Sequence, residues 1–339
     1  MQLSFDAAQA VARLAFQRAG VPEAAAEDAA RILTLAEAMG LATHGLGRVR
    51  LYCDRIAAGG IAPAARITVE APAPALRRID GRNGLGPAVA EAARRAATDA
   101  ARATGIGAAF VRNGTHLGAL APYLWLAAEQ GFAALVTTNT APMIAPAGGR
   151  APRVGNNPLG IALPHPEGRH VMLDMALSMA ARSRIRAAAT AGQPIPEGWA
   201  TDADGHPTTD SNAAMRGLLS AIGGAKGAHL AVMLDMLAGG LSGAAMLNEI
   251  PSLLETPSAQ QNLGQMLVLI DAECLLPAGE RAARLDAAAA IVARTPAVHP
   301  ATPPRLPGAR AIACLQQAQS KGIALPDALA RDLMALAGA

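Results

Sequence analysis

Apolar positions recur at helical spacing through the first forty residues. Ser4 can cap a first helix whose stripe runs through Phe5, Val11, Leu14 and Ala15, and an alanine-rich second helix starts after Val21-Pro22 and ends near Met39-Gly40. A third helix follows His44, with Val49, Tyr52 and Ile56 on one side and Gly59-Gly60 as its end. The pattern then shortens to alternation in Arg66–Glu70 and, less cleanly, in Ala75–Asp80. That run leads into Gly81-Arg82-Asn83-Gly84-Leu85-Gly86 and an alanine-rich helix over Pro87–Thr104. Strand, glycine loop and helix in that order suit either a phosphate cradle or a packed turn, and the loop does not match the GxGxxG register.

Further on, strands are expected at Gly107–Val111, Ala133–Thr138, Gly160–Leu163 and Val171–Asp174, with helices at Tyr123–Gln130 and Ser178–Ala191. Gln193–Asp210 is crowded with Pro, Gly and Asp and reads as one long loop, of the kind that is functional or packed down. Gly223-Gly224-Ala225-Lys226-Gly227 opens an apolar helix reaching Leu237, and two amphipathic segments follow Pro303–Gly308. Strand, loop and helix alternate only in places, so a doubly wound parallel sheet is not expected. His116, Asn139, Thr140 and Asp174 stand at strand ends, where sheet proteins place their chemistry.

Composition narrows the picture. The 339 residues are 52% hydrophobic and 16% charged, which is globular, and aromatics at 2% leave the core to Ala, Leu, Val, Ile and Met. A net charge of +3 comes from scattered arginines with no basic run among aromatics, so no nucleic-acid partner is expected. The apolar tract Ala228–Met246 is broken by Asp235 and Gly239-Gly240, so it reads as buried helix and no membrane partner is expected. Cys53, Cys274 and Cys314 lie far apart without a CxxC spacing, and Met1–Phe5 lacks the start of a signal peptide. Both point to free thiols and a cytoplasmic location. No His/Cys/Asp set has metal-ligand spacing, and no Ser sits in a GxSxG elbow.

Ala42-Thr43-His44-Gly45-Leu46-Gly47-Arg48 carries the most chemistry. An imidazole titrates near neutrality and can exchange a proton with a substrate oxygen; a guanidinium grips a carboxylate with two parallel hydrogen bonds. Four residues apart on a helix, the two would share a face and suit a small substrate with a carbonyl or hydroxyl beside a carboxylate. The other reading is a helix end with a capping His and a solvated Arg. Asp174 is the candidate to fix the His44 tautomer, or else a helix N-cap for the segment near Ser178. His116 reads as a site residue or as a buried turn His. Lys226, one of two lysines, follows two glycines at a helix start, where N–H groups and an ammonium together attract anions.

The order of these motifs carries a resemblance. Thr43-His44-Gly45 with Arg48, Asp80-Gly81 with Gly84-Leu85-Gly86, and Thr115-His116-Leu117-Gly118 come first. Gly155-Asn156-Asn157-Pro158, Leu173-Asp174-Met175-Ala176 with Ser178, Pro194–Trp199, Pro207–Asp210 and Gly224-Ala225-Lys226-Gly227 follow. Over about residues 5–335 the chain resembles the malate/L-lactate dehydrogenase family of non-Rossmann NAD(P)-dependent oxidoreductases, with its ureidoglycolate, sulfolactate, diketogulonate and piperideine/pyrroline-2-carboxylate relatives.

The resemblance implies an α/β fold: a non-Rossmann cofactor domain on a mostly antiparallel sheet plus a helical domain built from both chain ends. Residues 1–120 would form the N-terminal helical and substrate domain, 121–285 the NAD(P)-binding domain, and 286–339 a segment packing back on the first. It implies a homodimer, NAD or NADP as cofactor, a small carboxylate substrate, and hydride transfer at the 2-position of a 2-hydroxy or 2-oxo acid. The alternatives are reduction of a cyclic imine 2-carboxylate, a lyase or hydrolase using His44 and Asp174, and an inactive binding homologue. His44 matches the family's proton donor and acceptor, His116 a second histidine given that role in some members, and Arg48 the carboxylate clamp; Asp174 completes the catalytic candidates. Thr140, Asp174, Met175, Ala176, Ser178, Gly224, Lys226 and the Pro307-Gly308 turn match segments that contact the cofactor; no metal is implied. Thr43, Leu177 and Arg184 depart from the commoner Ser, Thr and Lys. Met246–Asn262, often a substrate-contacting region, carries little that aligns.

Overall fold

A computed structural model describes residues 1–338. Strand β1 (Gln2–Leu3) leads into α1 (Phe5–Arg18), where the Ser4 hydroxyl accepts the Ala7 N–H at 3.1 Å, the expected cap. Helix α2 (Glu23–Ala38) packs on it, and a 3-10 turn at Ala42–His44 precedes α3 (Arg48–Ala57). Then come β2 (Thr68–Ala73), β3 (Leu76–Asp80), α4 (Gly86–Thr104), β4 (Ile106–Gly114), α5 (Ala121–Ala128) and β5 (Phe132–Thr138). They are followed by β6 (Leu159–Leu163), β7 (Val171–Met175), α6 (Arg182–Thr190), β8 (Ala200–Thr201), β9 (Pro207–Thr208), α7 (Ser211–Arg216) and α8 (Ala225–Asp235). The last elements are β10 (Leu263–Asp271), α9 (Ala278–Arg294), α10 (Ala309–Lys321), β11 (Ile323–Ala324) and α11 (Asp327–Ala337).

One seven-stranded sheet has the order β2-β3-β4-β10-β5-β6-β7. Strands β3 and β4 run parallel and every other neighbouring pair antiparallel, as expected. Its central strand, β10, carries no element in the sequence reading. Leu-Gly-Gln-Met-Leu-Val-Leu-Ile-Asp is a short apolar run that periodicity cannot divide between strand and buried helix. Helix α9 is likewise unanticipated, and none of its residues is buried.

The two chain ends form one helical layer: β1 pairs with β11, α11 packs on α1 and α3, and α10 on α2. Phe16, Leu33 and Tyr52 share its core with Leu315 and Leu333. The sheet, however, takes β2, β3 and β4 from residues 68–114 and its other strands from 132–271. Strand hydrogen bonds between β4 and β10 join the two stretches.

Three local readings resolve against packing. The Gly81–Gly86 loop is a packed turn: Gly84 O accepts the Thr115 hydroxyl at 2.8 Å, and a Cβ on Gly86 would strike the carbonyl oxygen of His116. Only glycine lets the start of α4 approach that chain so closely. The helix expected from Ser178 begins at Arg182, because Ser178 is buried and bridged to Ala221. The 193–210 loop is packed down, with Ile195 and Ala200 buried and β8 paired to β9.

Candidate active site

His44 and Arg48 do not lie on one helix. His44 ends the 3-10 turn and Arg48 opens α3. The turn is held from below: Glu37 on α2 accepts the Leu46 N–H at 2.9 Å, and a Cβ on Gly45 would meet that same side chain. Arg48 Nε donates to the Thr43 carbonyl at 2.7 Å, and the Thr43 hydroxyl meets His44 Nδ1 at 2.9 Å. Among the described residues no carboxylate lies within ion-pair reach of the Arg48 guanidinium.

His116 comes to this group from the chain beyond β4. Its ring stacks on that of His44, with centroids 5.7 Å apart and planes at 21°. Its Nδ1 faces the Tyr52 hydroxyl at 2.6 Å and the Gly118 N–H at 3.3 Å. Tyr52 is the residue sequence reasoning missed, having been placed in the apolar stripe of α3. The signal was its position four residues after Arg48, which puts the two on one helical face. Burial, then the charge of Arg48, lowers the His44 pKa to about 4. Burial, then Arg48, His44 and Arg55, holds His116 well below its usual value. Both imidazoles are therefore neutral at pH 7.

Asp174 is not paired with His44. It lies one residue before the end of β7 and accepts the Leu120 and Ala121 N–H groups at 2.9 and 2.8 Å, capping the start of α5 instead of the segment near Ser178. Burial raises its pKa, opposed by those two hydrogen bonds. The carboxylate thus ties the end of β7 to the loop that carries His116.

The segments assigned to the cofactor converge although they are far apart in sequence. Thr140 donates its hydroxyl to Asn156 at 2.9 Å, and Asn157 accepts the Thr140 N–H at 2.9 Å while its amide donates to Ala231 on α8. Met175 pairs with Leu159, Ala176 follows it, Leu177 N–H donates to Asn156 O, and Ile222 N–H donates to Leu177 O. The Ser178 hydroxyl donates to Ala180 O at 3.0 Å. The Pro307 carbonyl accepts from Met172, and Gly308, with φ of 85°, sits so close that a Cβ would lie 2.7 Å from Met172 O.

Gly224, whose φ of 62° favours glycine, stands just before helix α8, and no side chain caps the first turn. Lys226 lies exposed in that turn without an ion-pair partner among the described residues. A Cβ at Gly223 or Gly224 would meet nothing within 4 Å. A cleft of about 250 Å³, lined by Ile144, Gly148, Leu218, Ala221, Gly224 and Ala225 among others, opens here. Open backbone, a helix N-terminus and an ammonium form a donor set that fits a dinucleotide's phosphates. No group of three or more His, Cys, Asp or Glu among the described residues is placed to hold a metal, and none of their helices is long and apolar enough to cross a membrane.

Such a site, on a mostly antiparallel sheet without a Rossmann turn, belongs to a defined class of oxidoreductases. The sequence model of the malate/L-lactate dehydrogenase family matches residues 3–334, and the chain belongs to that family. It is 34% identical over 336 residues to the (2R)-3-sulfolactate dehydrogenase (NADP(+)) of Chromohalobacter salexigens, covering 99% of this chain and 98% of that one. It is 32% identical over 338 residues to the delta(1)-pyrroline-2-carboxylate/delta(1)-piperideine-2-carboxylate reductase of Pseudomonas aeruginosa, covering 99% of each. Among solved structures, sulfolactate dehydrogenase from Methanocaldococcus jannaschii superposes with a TM-score of 0.91 at 29% identity, over 100% of this chain and 97% of that one.

Proposed function

We propose that the protein is an NAD(P)-dependent oxidoreductase that transfers a hydride between nicotinamide and the 2-position of a small 2-hydroxy or 2-oxo carboxylate. The observation that carries this is Arg48, a guanidinium with no acid partner among the described residues, beside two stacked, neutral imidazoles. A free guanidinium there leaves the carboxylate to be supplied by the substrate, and the imidazoles supply hydrogen-bonding and proton-exchanging nitrogens for the neighbouring oxygen. Nicotinamide, when bound, supplies or accepts the hydride. Lys226 and the open start of α8 would hold its phosphates, with Thr140, the Asp174–Ser178 segment and Pro307-Gly308 forming the walls.

On this reading the helical layer and the His116 loop form the substrate side, residues 121–285 most of the cofactor side, and residues 286–339 return to the first. Family membership and three free cysteines support a cytoplasmic homodimer. A second reading, reduction of a cyclic imine 2-carboxylate, uses the same clamp and is supported by the likeness to the Pseudomonas aeruginosa reductase.

Fluorescence titration with NADH and NADPH, followed by turnover on a panel of 2-oxo acids and cyclic imine carboxylates, tests the proposal. Saturable cofactor binding and turnover of at least one carboxylate are expected. Binding without turnover on any of them would make the chain an inactive homologue, and absence of binding to either nucleotide would remove the oxidoreductase reading.

A further inference from the structure

His44 and His116 are both candidates for the proton-exchanging group, and their surroundings differ in kind. Two donors converge on Nδ1 of His116. The Gly118 N–H, at 3.3 Å, is a backbone group and can only donate. The Tyr52 hydroxyl, at 2.6 Å, belongs to a side chain with no exposed surface and makes no other hydrogen bond among the described residues. A nitrogen that accepts from a backbone N–H carries its lone pair outward, so the proton of the neutral ring is on Nε2.

The rest of the surroundings oppose a second proton. Arg48, Tyr52 and Arg55 face the ring from α3, and His44 faces it from the 3-10 turn. Arg55 is fully buried and held by the carbonyls of Leu253, Thr256 and Ala259, so it is a fixed positive charge. Protonating Nδ1 would set a new N–H against the Gly118 N–H in a setting already carrying two guanidinium charges. The loop cannot easily yield, because the Tyr123 hydroxyl holds Leu117 O at 2.8 Å and Asp174 holds Leu120 and Ala121.

His44 has no such constraint. Among the described residues the only hydrogen-bond partner of its ring is the exposed Thr43 hydroxyl, which can donate or accept. Either tautomer is therefore available to it.

We propose that the two histidines divide the work: Tyr52 and the Gly118 N–H lock His116 as a neutral Nε2–H donor that hydrogen-bonds the substrate oxygen, and His44 exchanges the proton with that oxygen. Tyr52 is then a positioning residue. In the oxidising direction His44 takes the hydroxyl proton as the C2 hydride leaves to nicotinamide. In the reducing direction protonated His44 returns that proton to the oxygen as hydride reaches C2. His116 keeps its own proton throughout, because its free lone pair faces Tyr52 and Gly118. A neutral imidazole can stabilise a developing oxyanion by hydrogen bonding without giving the proton up.

This division rests on the oxidoreductase reading, but the state of His116 can be read without substrate or cofactor. Nitrogen-15 spectra of histidine-labelled protein, with His116 assigned by its loss in His116→Gln, report the tautomer directly. The expected result from pH 5 to 8 is a protonated Nε2 and an unprotonated Nδ1 in the wild type. In Tyr52→Phe, which keeps the ring and so the packing, the His116 signals should move toward tautomer exchange. Turnover should fall about tenfold, the scale of one lost hydrogen bond, with KM changed less than kcat and the pH profile kept. A His116 signal showing Nδ1–H, or an imidazolium near pH 7, would overturn the proposal even in an enzyme that turns over. So would a Tyr52→Phe variant with unaltered His116 signals and unaltered kcat. A locked Nε2–H tautomer in a protein that binds no nicotinamide would leave the lock standing and defeat the functional reading alone.

Discussion

The Asp174 carboxylate and the Leu120 N–H, 54 residues apart in sequence, meet at 2.9 Å. The same oxygen accepts from Ala121 at 2.8 Å, so one buried side chain joins the end of β7 to the start of α5 and to the loop carrying His116. This contact links the proposed cofactor segment to the two histidines proposed for catalysis. Asp174→Ala would leave two backbone donors without an acceptor, a loss on the order of 1–3 kcal/mol. Urea unfolding should show that loss, and turnover should drop beyond what stability explains because the His116 loop loosens. Unchanged stability and unchanged turnover together would show that water or another group replaces the carboxylate.

Arg48→Lys should raise KM for the acid substrate while leaving NAD(P)H affinity alone. Lysine keeps the charge, but it cannot reproduce the planar two-bond grip. Steady-state kinetics with a saturating cofactor makes the comparison, and an unchanged KM would remove Arg48 from the substrate clamp.

The depressed pKa of His44 has a pH signature. In the free enzyme the imidazole stays neutral down to about pH 4. The value of kcat/KM for hydroxy-acid oxidation should therefore remain level from pH 8 to about 5, where an ordinary histidine would lose activity near 6.5. The stability consequence has a definite sign. Unfolded chain binds the proton near 6.5 and folded chain only near 4, so the unfolded state gains protons first and stability falls on acidification through that window. The contribution is on the order of 3 kcal/mol at full protonation of the unfolded residue, and His44→Gln should flatten that part of the pH–stability curve. A kinetic break at pH 6–7 that vanishes in His44→Gln would contradict the lowered value.

Lys226→Ala should weaken NADH or NADPH binding, by about 1.5–3 kcal/mol for loss of a charge-assisted hydrogen bond. Because Lys226 is exposed, the difference should shrink as ionic strength rises. Fluorescence titration of both proteins at two salt concentrations measures it, and equal affinities would place the phosphates elsewhere.

Much of the local structure was legible in the sequence. The Ser4 cap, the helices either side of His44, the alternating strands through β7 and the glycines opening α8 depend on neighbours in the chain. So do the absence of a Rossmann turn and the proximity of His44 to Arg48. What failed locally was β10, whose short apolar run has no period to declare it a strand, and helix α9, which was not anticipated.

The site itself was decided by tertiary structure. Residue type pointed to His44, Arg48, His116 and Asp174, but not to who bonds whom. Asp174 reached Leu120 and Ala121 instead of His44 because β7 lies beside the start of α5 in the folded sheet. Tyr52 became the partner of His116, 64 residues away, because α3 and the chain after β4 meet at one edge of the helical layer. The sequence by itself determined which side chains could exchange a proton, grip a carboxylate or hold a phosphate, since those capacities are intrinsic to the groups. Only the fold decided their burial and partners, which set charge state and tautomer, because both depend on desolvation and on hydrogen bonds made across long stretches of chain.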